Sequence, residues 1–578
     1  MVIIKHFSLT ILRKRLLAIV IAVTFLLSIV IGRLFYIQII WGEEVQEKAI
    51  DQWTREIPVI ASRGEITDCN GVVLAGNGDT YTVFVRKKAV TDIKEVAKTL
   101  SDVLEMDYSY VYNRLTTTIS SEVTIKKQVE KDKINKLLSY NFDGVYYSRD
   151  NYRIYPHGDF LTSVIGFTST DGKGQAGLEL YYDKYLSGIN GEILYETDIV
   201  GVEIGDGNAS YIPATDGLNI KLTIDYEIQS LCETAMIEAM QIHGCKSAQM
   251  LVVDPSSGAV LANCIKPSYN LNNVPREDLD LLNSLSRNKL ISDVYEPGST
   301  FKVLTAAANI EEYYKGNKNA FSLEHIYSSS RYRYVDGQRT KCWSNHSNGK
   351  HSNLTLSGAL NNSCNPIFVD IACSLGKETM YKYIDLFGYG KATGIDFSGE
   401  TSGMVIPLTA VKNVDLARIG FGQTIAVTGL QLALATAAAV NGGIYYSPYL
   451  VSEIYDNNGI IAEKVYPKAV NRVISEKASK TLSSMLEKVV SEGSGKQAYI
   501  DGYRVAGKTG TAQKYENGVI AQGKYVSSFV GYFPADAPKY LALVIIDEPV
   551  GEYYGSTVAA PYARQVFEGI INLKNIKV

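Results

Sequence analysis

The sequence predicts an α/β multidomain protein: a single transmembrane helix at the N-terminus, a mixed α+β domain after it, and a C-terminal domain built on a strand meander. Three observations predict this. Residues 16–31 are an uninterrupted run of apolar and small residues, continued past Arg33 by residues 34–40, close to the ~20 residues that a bilayer span needs. Residues 41–215 alternate short β-like runs with amphipathic helical stretches. Residues 505–571 read as successive strand runs closed by a helix.

At the N-terminus, Lys5, Arg13, Lys14 and Arg15 precede the apolar run. The positive-inside bias makes residues 1–15 a cytoplasmic tail and exports everything after residue 40. A cleaved signal peptide is the rival. No small-x-small cleavage site follows the run, and Phe35 and Tyr36 sit where aromatic anchors belong. Residues 16–40 therefore read as an uncleaved signal anchor, with Arg33 snorkelling or ending the span.

The next segment, 41–215, includes a strand run at 81–85 and an amphipathic helix at 92–104. It contains no pairing of a nucleophile with a base. A stretch rich in Gly, Asp and Asn, 201–217, marks its end, and the alternation over 218–224 opens the C-terminal domain, 216–578. There the meander is read as strands at 505–511, 525–532 and 540–546, with a turn at Glu516, Asn517 and Gly518, and a closing helix at 558–571.

Composition sets outer limits. A chain of 578 residues accommodates two or three domains with sizeable cores. A formal net charge of −4 provides no basic field for nucleic acid. The forty tyrosines have no explanation in the pattern.

Three short stretches carry chemistry. In the first, a Pro297-Gly298 turn leads to Ser299, and Lys302 follows in a run of good helix formers, which predicts Ser299 at a helix start with Lys302 one turn on and on the same side. A serine hydroxyl needs a base to become a nucleophile. A lysine amine serves if burial depresses its pKa, and Val303, Leu304 and the alanines around it suggest such burial. The helix N-terminus also aims N–H groups where an oxyanion would form. The second stretch is Ser363-Cys364-Asn365. The third, Lys508-Thr509-Gly510-Thr511, has a strand character, with Gly507 and Gly510 leaving room for a substrate backbone and with an ammonium and two hydroxyls able to hold a carboxylate.

None of the three is specific alone. Serine and lysine three apart occur by chance several times in a chain of this length, and a Gly-containing strand with a solvated lysine is commonplace. Their conjunction is the signature of serine β-lactamases and penicillin-binding proteins, with Cys364 where the usual motif has aspartate.

Further boxes extend the resemblance over nearly the whole chain. They include Arg63, Gly64, Asp68, Asn70 and Gly71; then Tyr155, Pro156 and Gly158 through Glu179 and Gly188; then Asp254-Pro255, residues 267–270, 420–423 and 528–534. The chain resembles the class B penicillin-binding proteins, the monofunctional transpeptidases of peptidoglycan synthesis. That resemblance implies a C-terminal serine β-lactamase/transpeptidase-like fold of helices around an antiparallel sheet, standing on a membrane-proximal pedestal of the dimerisation type. The lysine motif would lie on an edge strand facing the serine helix, where an extended peptide adds as a further strand.

Carried over motif by motif, it implies that Ser299 attacks the carbonyl of the penultimate D-alanine of a stem peptide, with Lys302 as base. Ser363 relays the proton to the departing D-alanine and Asn365 holds the substrate amide. The backbone N–H groups of Ser299 and Thr511 form the oxyanion hole. Lys508, Thr509 and Thr511, with Gly510 leaving room, bind the terminal carboxylate, or that of a β-lactam. An amine from a neighbouring stem then takes the acyl group. Stem peptides on lipid-linked precursor strands are the implied substrates. Lacking a glycosyltransferase region, the protein would work with a separate multi-span glycan polymerase. The chemistry needs no cofactor.

Seven cysteines, at 69, 232, 245, 264, 342, 364 and 373, are an odd number in an exported chain and exclude a complete disulfide framework. Asp336, Cys342, His351 and Cys364 are the ligand types of a closed four-coordinate zinc site. His346 is an alternative for His351, and Cys373 a spare. Against the metal stands a small buried Cys364 with Cys342 free or disulfide-bonded to it. Some family members with cysteine in this slot resemble zinc proteins. A bound metal would be structural, fixing the backbone that aims Ser363 and Asn365.

Other functions on the same motifs are a β-lactamase, which needs a water-activating glutamate such as Glu400, and a D,D-carboxypeptidase. The anchor, the pedestal and the boxes at Arg63 and Tyr155 argue against both. A β-lactam sensor would need a cytoplasmic domain. A purely scaffolding role conflicts with the full set of motif residues.

Overall fold

In the computed structural model, residues 9–45, 54–120, 122–196, 210–328, 330–346, 351–516 and 519–577 are described. Lys5, most of the 201–217 boundary (201–209), and the turn residues Asn517 and Gly518 lie outside them. The helix Leu9–Phe35 continues into a π-helical turn, Tyr36–Ile40. With a mean hydropathy of 2.5 and no side chain buried within the protein, this helix is long and apolar enough to cross a membrane. It starts earlier than the expected span and carries Arg13, Lys14 and Arg15 in its first two turns. The Arg33 guanidinium lies 5.4 Å from the centre of the Tyr36 ring, so its charge is directed along the helix toward the end of the span.

The chain divides into two compact units, residues 1–61, 79–151 and 189–215, which include the anchor, and residues 62–78, 152–188 and 216–578. In the smaller unit, the helix expected at 92–104 is Ile93–Leu104. The Asp92 side chain caps it by accepting from the backbone N–H groups of Lys94 and Glu95. Val96, Ala97, Leu100, Val103 and Leu104 recur at helical spacing and are buried against the helix Tyr108–Thr117 and the strand Glu122–Val129. The strand run at 81–85 belongs to the long strand Val73–Arg86.

The larger unit is built on a five-stranded antiparallel sheet. Its order across the sheet is Val260–Lys266, Ser247–Val253, Tyr540–Asp547, Val519–Phe533, Ala506–Glu516. The last three are the expected meander, and the strand carrying Lys508 lies at the edge. Both faces of the sheet are covered, so its central strands are apolar throughout instead of alternating. Met250, Val252, Ala542, Val544 and Ile546 pack on one side with the helices Tyr226–His243 and Ala560–Leu573. Leu251, Val253, Leu541, Leu543 and Ile545 pack on the other, against the wholly buried helix Gly429–Val440. The closing helix, expected at 558–571, is divided into Gly555–Val558 and Ala560–Leu573.

The strand expected at 218–224, Asn219–Leu222, joins a different sheet, pairing with Val451–Tyr455 and with Ile66–Thr67. Next to it, the boxes at Arg63 and Glu179 meet. The fully buried Glu179 carboxylate accepts from Arg63 Nε at 2.7 Å and from Arg153 Nε at 2.6 Å, and Arg63 also reaches Asp183 at 2.7 Å. These charges are affordable inside because each is paired and hydrogen-bonded.

Candidate active site

The serine turn is a single 3₁₀ turn, Gly298–Phe301, running directly into the helix Lys302–Tyr314. Ser299 therefore precedes the helix proper, and Lys302 is its first residue. Gly298 donates its N–H to the Gly422 carbonyl at 2.9 Å. Gly422 has φ +86°, and a Cβ there would fall 2.0 Å from the Gly298 carbonyl oxygen, so this approach requires glycine.

Lys302 is fully buried and its ammonium is the hub of the site. Nζ lies 3.0 Å from Ser299 Oγ, 3.1 Å from Ser363 Oγ, 2.9 Å from the Ser363 carbonyl and 2.7 Å from Asn365 Oδ1. Burial lowers its pKa to about 8 against an ordinary 10.5, opposed in part by the nearby thiols of Cys342 and Cys364. Ser363 holds a left-handed backbone, φ +52°, a strained conformation for a residue with a side chain. Cys364 follows as the N-cap residue of the helix Asn365–Leu386, with Pro366 in its first turn.

The edge strand faces this hub. Lys508 is fully buried, its Nζ donating to the Thr509 carbonyl at 3.1 Å and to Thr509 Oγ1 at 3.3 Å. Burial, with Lys302 nearby, pushes its pKa well below the ordinary value. A Cβ on Gly510 would meet Ser528 Oγ at 2.4 Å and Thr300 Cγ2 at 2.9 Å, so the bare backbone lets strand and serine turn touch. Thr511 Oγ1 accepts from the Gly555 N–H at 3.0 Å. The Lys302 ammonium thus joins Ser299, Ser363 and Asn365, and the Gly510–Thr511 backbone of the strand carrying Lys508 and Thr509 lies against the serine turn.

Of the four expected metal ligands, three come together. Cys342 Sγ lies 4.0 Å from Cys364 Sγ and 4.0 Å from His351 Nδ1. The fourth member is His346, whose Nε2 is 3.9 Å from Cys364 Sγ; the four donor atoms all lie within 4.8 Å of one another. Asp336 is not among them. It sits at the turn of the hairpin Tyr332–Val335 and Gln338–Lys341 with φ +48°, and its carboxylate accepts from Asn413 Nδ2 at 3.4 Å. The C-x3-H-x4-H spacing from Cys342 was the signal that could have selected His346 over Asp336. The Cys342 thiol is held low chiefly by the hydrogen bond from Cys364, which is raised in turn, so the pair shares a proton.

Glu400, the candidate hydrolytic base, is committed to its own loop. Its carboxylate accepts from the Thr393 N–H at 2.6 Å, the Thr393 hydroxyl at 2.5 Å and the Gly394 N–H at 3.0 Å. The sequence reading also missed Glu296, whose Oε1 accepts from the Thr424 N–H at 2.8 Å and so ties the serine turn to the 420–424 loop. Its place three residues before Ser299 was the available clue.

Fold and site together define a chain with an apolar N-terminal helix and a serine acyl-transfer centre of the S-x-x-K type. Comparison with known proteins is specific. Residues 248–568 match the penicillin binding protein transpeptidase domain, and residues 58–222 match the penicillin-binding protein dimerisation domain. The stage V sporulation protein D of Bacillus subtilis is 38% identical over 553 residues, covering 95% of this chain and 84% of that one. The peptidoglycan D,D-transpeptidase FtsI of Escherichia coli is 29% identical over 566 residues, covering 95% and 90%. A peptidoglycan synthetase from Bifidobacterium adolescentis superposes with a TM-score of 0.73 at 26% identity, covering 91% and 97%. The chain belongs to the class B penicillin-binding proteins.

Proposed function

We propose that the protein is a peptidoglycan D,D-transpeptidase that cross-links stem peptides through an acyl-enzyme on Ser299 and is acylated there by β-lactams. The observation that carries this is the buried Lys302 amine, within hydrogen-bond reach of both Ser299 Oγ and Ser363 Oγ. With a pKa near 8, it takes the Ser299 proton as the hydroxyl attacks the D-alanyl carbonyl. Ser363, on the same ammonium, returns a proton to the departing D-alanine. Asn365 holds the substrate amide. The N–H groups of Ser299 and Thr511 receive the developing oxyanion.

Lys508, Thr509 and Thr511 bind the terminal carboxylate, with Gly510 leaving space. An anion in the groove offsets the burial that disfavours the Lys508 ammonium. An amine of a second stem then attacks the ester, forming the amide cross-link and freeing Ser299. The D,D-carboxypeptidase and β-lactamase readings require water instead of the amine, and Glu400 offers no free carboxylate for it.

The N-terminal helix serves as a single-pass anchor of a bacterial cytoplasmic membrane, with the catalytic domain outside, as the basic residues at its start support. The domains proposed are a tail at 1–15, an anchor at 16–40, a pedestal at 41–215 and the transpeptidase domain at 216–578. A separate multi-span glycan polymerase supplies the strands. The identity to a relative named for sporulation supports a role in sporulation.

The Cys342, His346, His351 and Cys364 cluster is suited to structural Zn²⁺. Two thiols and two imidazoles form a closed donor set. Zn–S and Zn–N bonds of the usual lengths place tetrahedral ligands about 3.3–3.8 Å apart; three donor contacts are 3.9–4.0 Å and all lie within 4.8 Å, so the set must contract to hold the ion. When bound, the metal supplies rigidity and no chemistry. Cys364 lies between Ser363 and Asn365, so holding its sulfur holds both.

Labelling with a fluorescent penicillin tests the reading. The label should appear on the parent protein, be lost in Ser299→Ala, and persist long after free drug is removed. Rapid release of the label would favour a β-lactamase, and no label at all would remove the enzyme.

A further inference from the structure

The hairpin Tyr332–Val335 and Gln338–Lys341 holds none of the residues expected to act in catalysis, yet one of its ends lies on Asn365. The Lys341 carbonyl accepts from Asn365 Nδ2 at 3.3 Å. This contact determines how the amide stands. The Lys302 ammonium has only donors, so Asn365 turns Oδ1 toward it, at 2.7 Å. One N–H of Nδ2 then goes to the Lys341 carbonyl, which leaves the second for a substrate carbonyl. Turning the amide over would set two donors against each other at Lys302 and two acceptors at Lys341.

A two-stranded hairpin is marginal by itself, so the position of that carbonyl depends on what anchors the strands. Arg333, in the first strand opposite Thr340, makes a two-pronged contact with Asp370. Its Nε donates to Oδ1 and its Nη2 to Oδ2, both at 2.7 Å. Such a fork fixes direction as well as distance, and both side chains are partly buried, at 17% and 27% exposure. Asp370 belongs to the helix Asn365–Leu386, about 7.5 Å along it from Asn365. The hairpin is therefore joined to that one helix at two points, and the ion pair decides where the second, Lys341, meets the amide. The turn end of the hairpin is tied elsewhere: Gln338 Oε1 accepts from Arg418 at 3.1 Å, on the helix Asn413–Ile419.

We propose that Arg333 is a positioning residue for Asn365: through Asp370 it locks the hairpin whose last carbonyl aims the Asn365 amide at the substrate. This rests on the function proposed above, in which Asn365 holds the substrate amide. Neither Arg333 nor Asp370 touches substrate. Without the ion pair, Asn365 Oδ1 stays on Lys302, but the Lys341 carbonyl no longer fixes the tilt of Nδ2. What suffers is recognition of an amide carbonyl, while the Ser299 and Lys302 pair keeps its contact.

The test compares two drugs on the full-length detergent-solubilised protein. Benzylpenicillin carries an acylamino carbonyl for Asn365 to hold, and 6-aminopenicillanic acid has the same nucleus with a bare amine. The rate at which each blocks labelling by fluorescent penicillin gives its acylation rate. In Arg333→Met and in Asp370→Asn the preference for benzylpenicillin should fall about fivefold, as expected for one misaligned hydrogen bond. The double variant should lose no more than either alone, because the two residues act as one contact. A merely structural role would slow both drugs by one factor and leave the preference at its parental value. That result, or losses that multiply in the double variant, would overturn the proposal. Asp370→Asn keeps the shape of the side chain, so it decides the matter if Arg333→Met does not fold; labelling by fluorescent penicillin reports folding. Failure of the acyl-transfer reading is distinct, because the parent protein would then take no label.

Discussion

Acylation by penicillin should follow the neutral fraction of Lys302. The amine is fully buried with a pKa near 8, so about one-tenth of it is neutral at pH 7 and about one-hundredth at pH 6. An ordinary lysine at 10.5 would be about 300-fold less available at pH 7. The second-order acylation rate should therefore rise about tenfold per pH unit up to 8 and level off above it. Lys302→Met should lower the plateau by about 10²–10⁴-fold, the usual contribution of general base catalysis, and flatten the profile. Because the fold holds this proton less tightly than the unfolded chain does, the same lysine costs stability below pH 8. That cost disappears as pH rises through 10.5. Stopped-flow or gel-based labelling between pH 5.5 and 10 measures the profile. A rate still climbing tenfold per unit above pH 9, or a Lys302→Met variant acylated at the parental rate, would refute the assignment of Lys302 as the base.

Three further outcomes are expected. Gly422→Ala places a Cβ 2.0 Å from the Gly298 carbonyl oxygen at φ +86°, so a stability loss of at least about 1–3 kcal/mol and slower acylation should appear together in thermal melts and labelling. Glu179→Gln leaves Arg63 and Arg153 without their shared buried carboxylate; a loss of about 3–5 kcal/mol is expected, and a melting curve like that of the parent would contradict it. Protein purified without chelator should hold close to one zinc per chain by elemental analysis, and chelation should lower both melting temperature and acylation rate; unchanged acylation in zinc-free protein would remove the link between the cluster and Ser363.

The fold was readable where one residue pattern admits one structure. The edge strand, the two strands that follow it and the closing helix followed from apolar runs and turn residues, and the helix at 93–104 from its amphipathic spacing. The strand Asn219–Leu222 reads the same whichever sheet it joins, because alternation reports a half-buried face and not its partner. The candidate site residues were accessible because their motifs are local and their combination is specific. Asp336 failed for the opposite reason: ligand type and proximity in sequence do not determine side-chain direction, and a hairpin turn carries it toward Asn413.

The most direct measurement is mass spectrometry of the full-length protein after brief exposure to penicillin, with peptide mapping. One drug mass should be added per chain, on the peptide containing Ser299, and Ser299→Ala should carry none. An adduct on another residue, or no adduct on parental protein that melts cooperatively, would contradict Ser299 and the buried Lys302 acting together as the acyl-transfer centre.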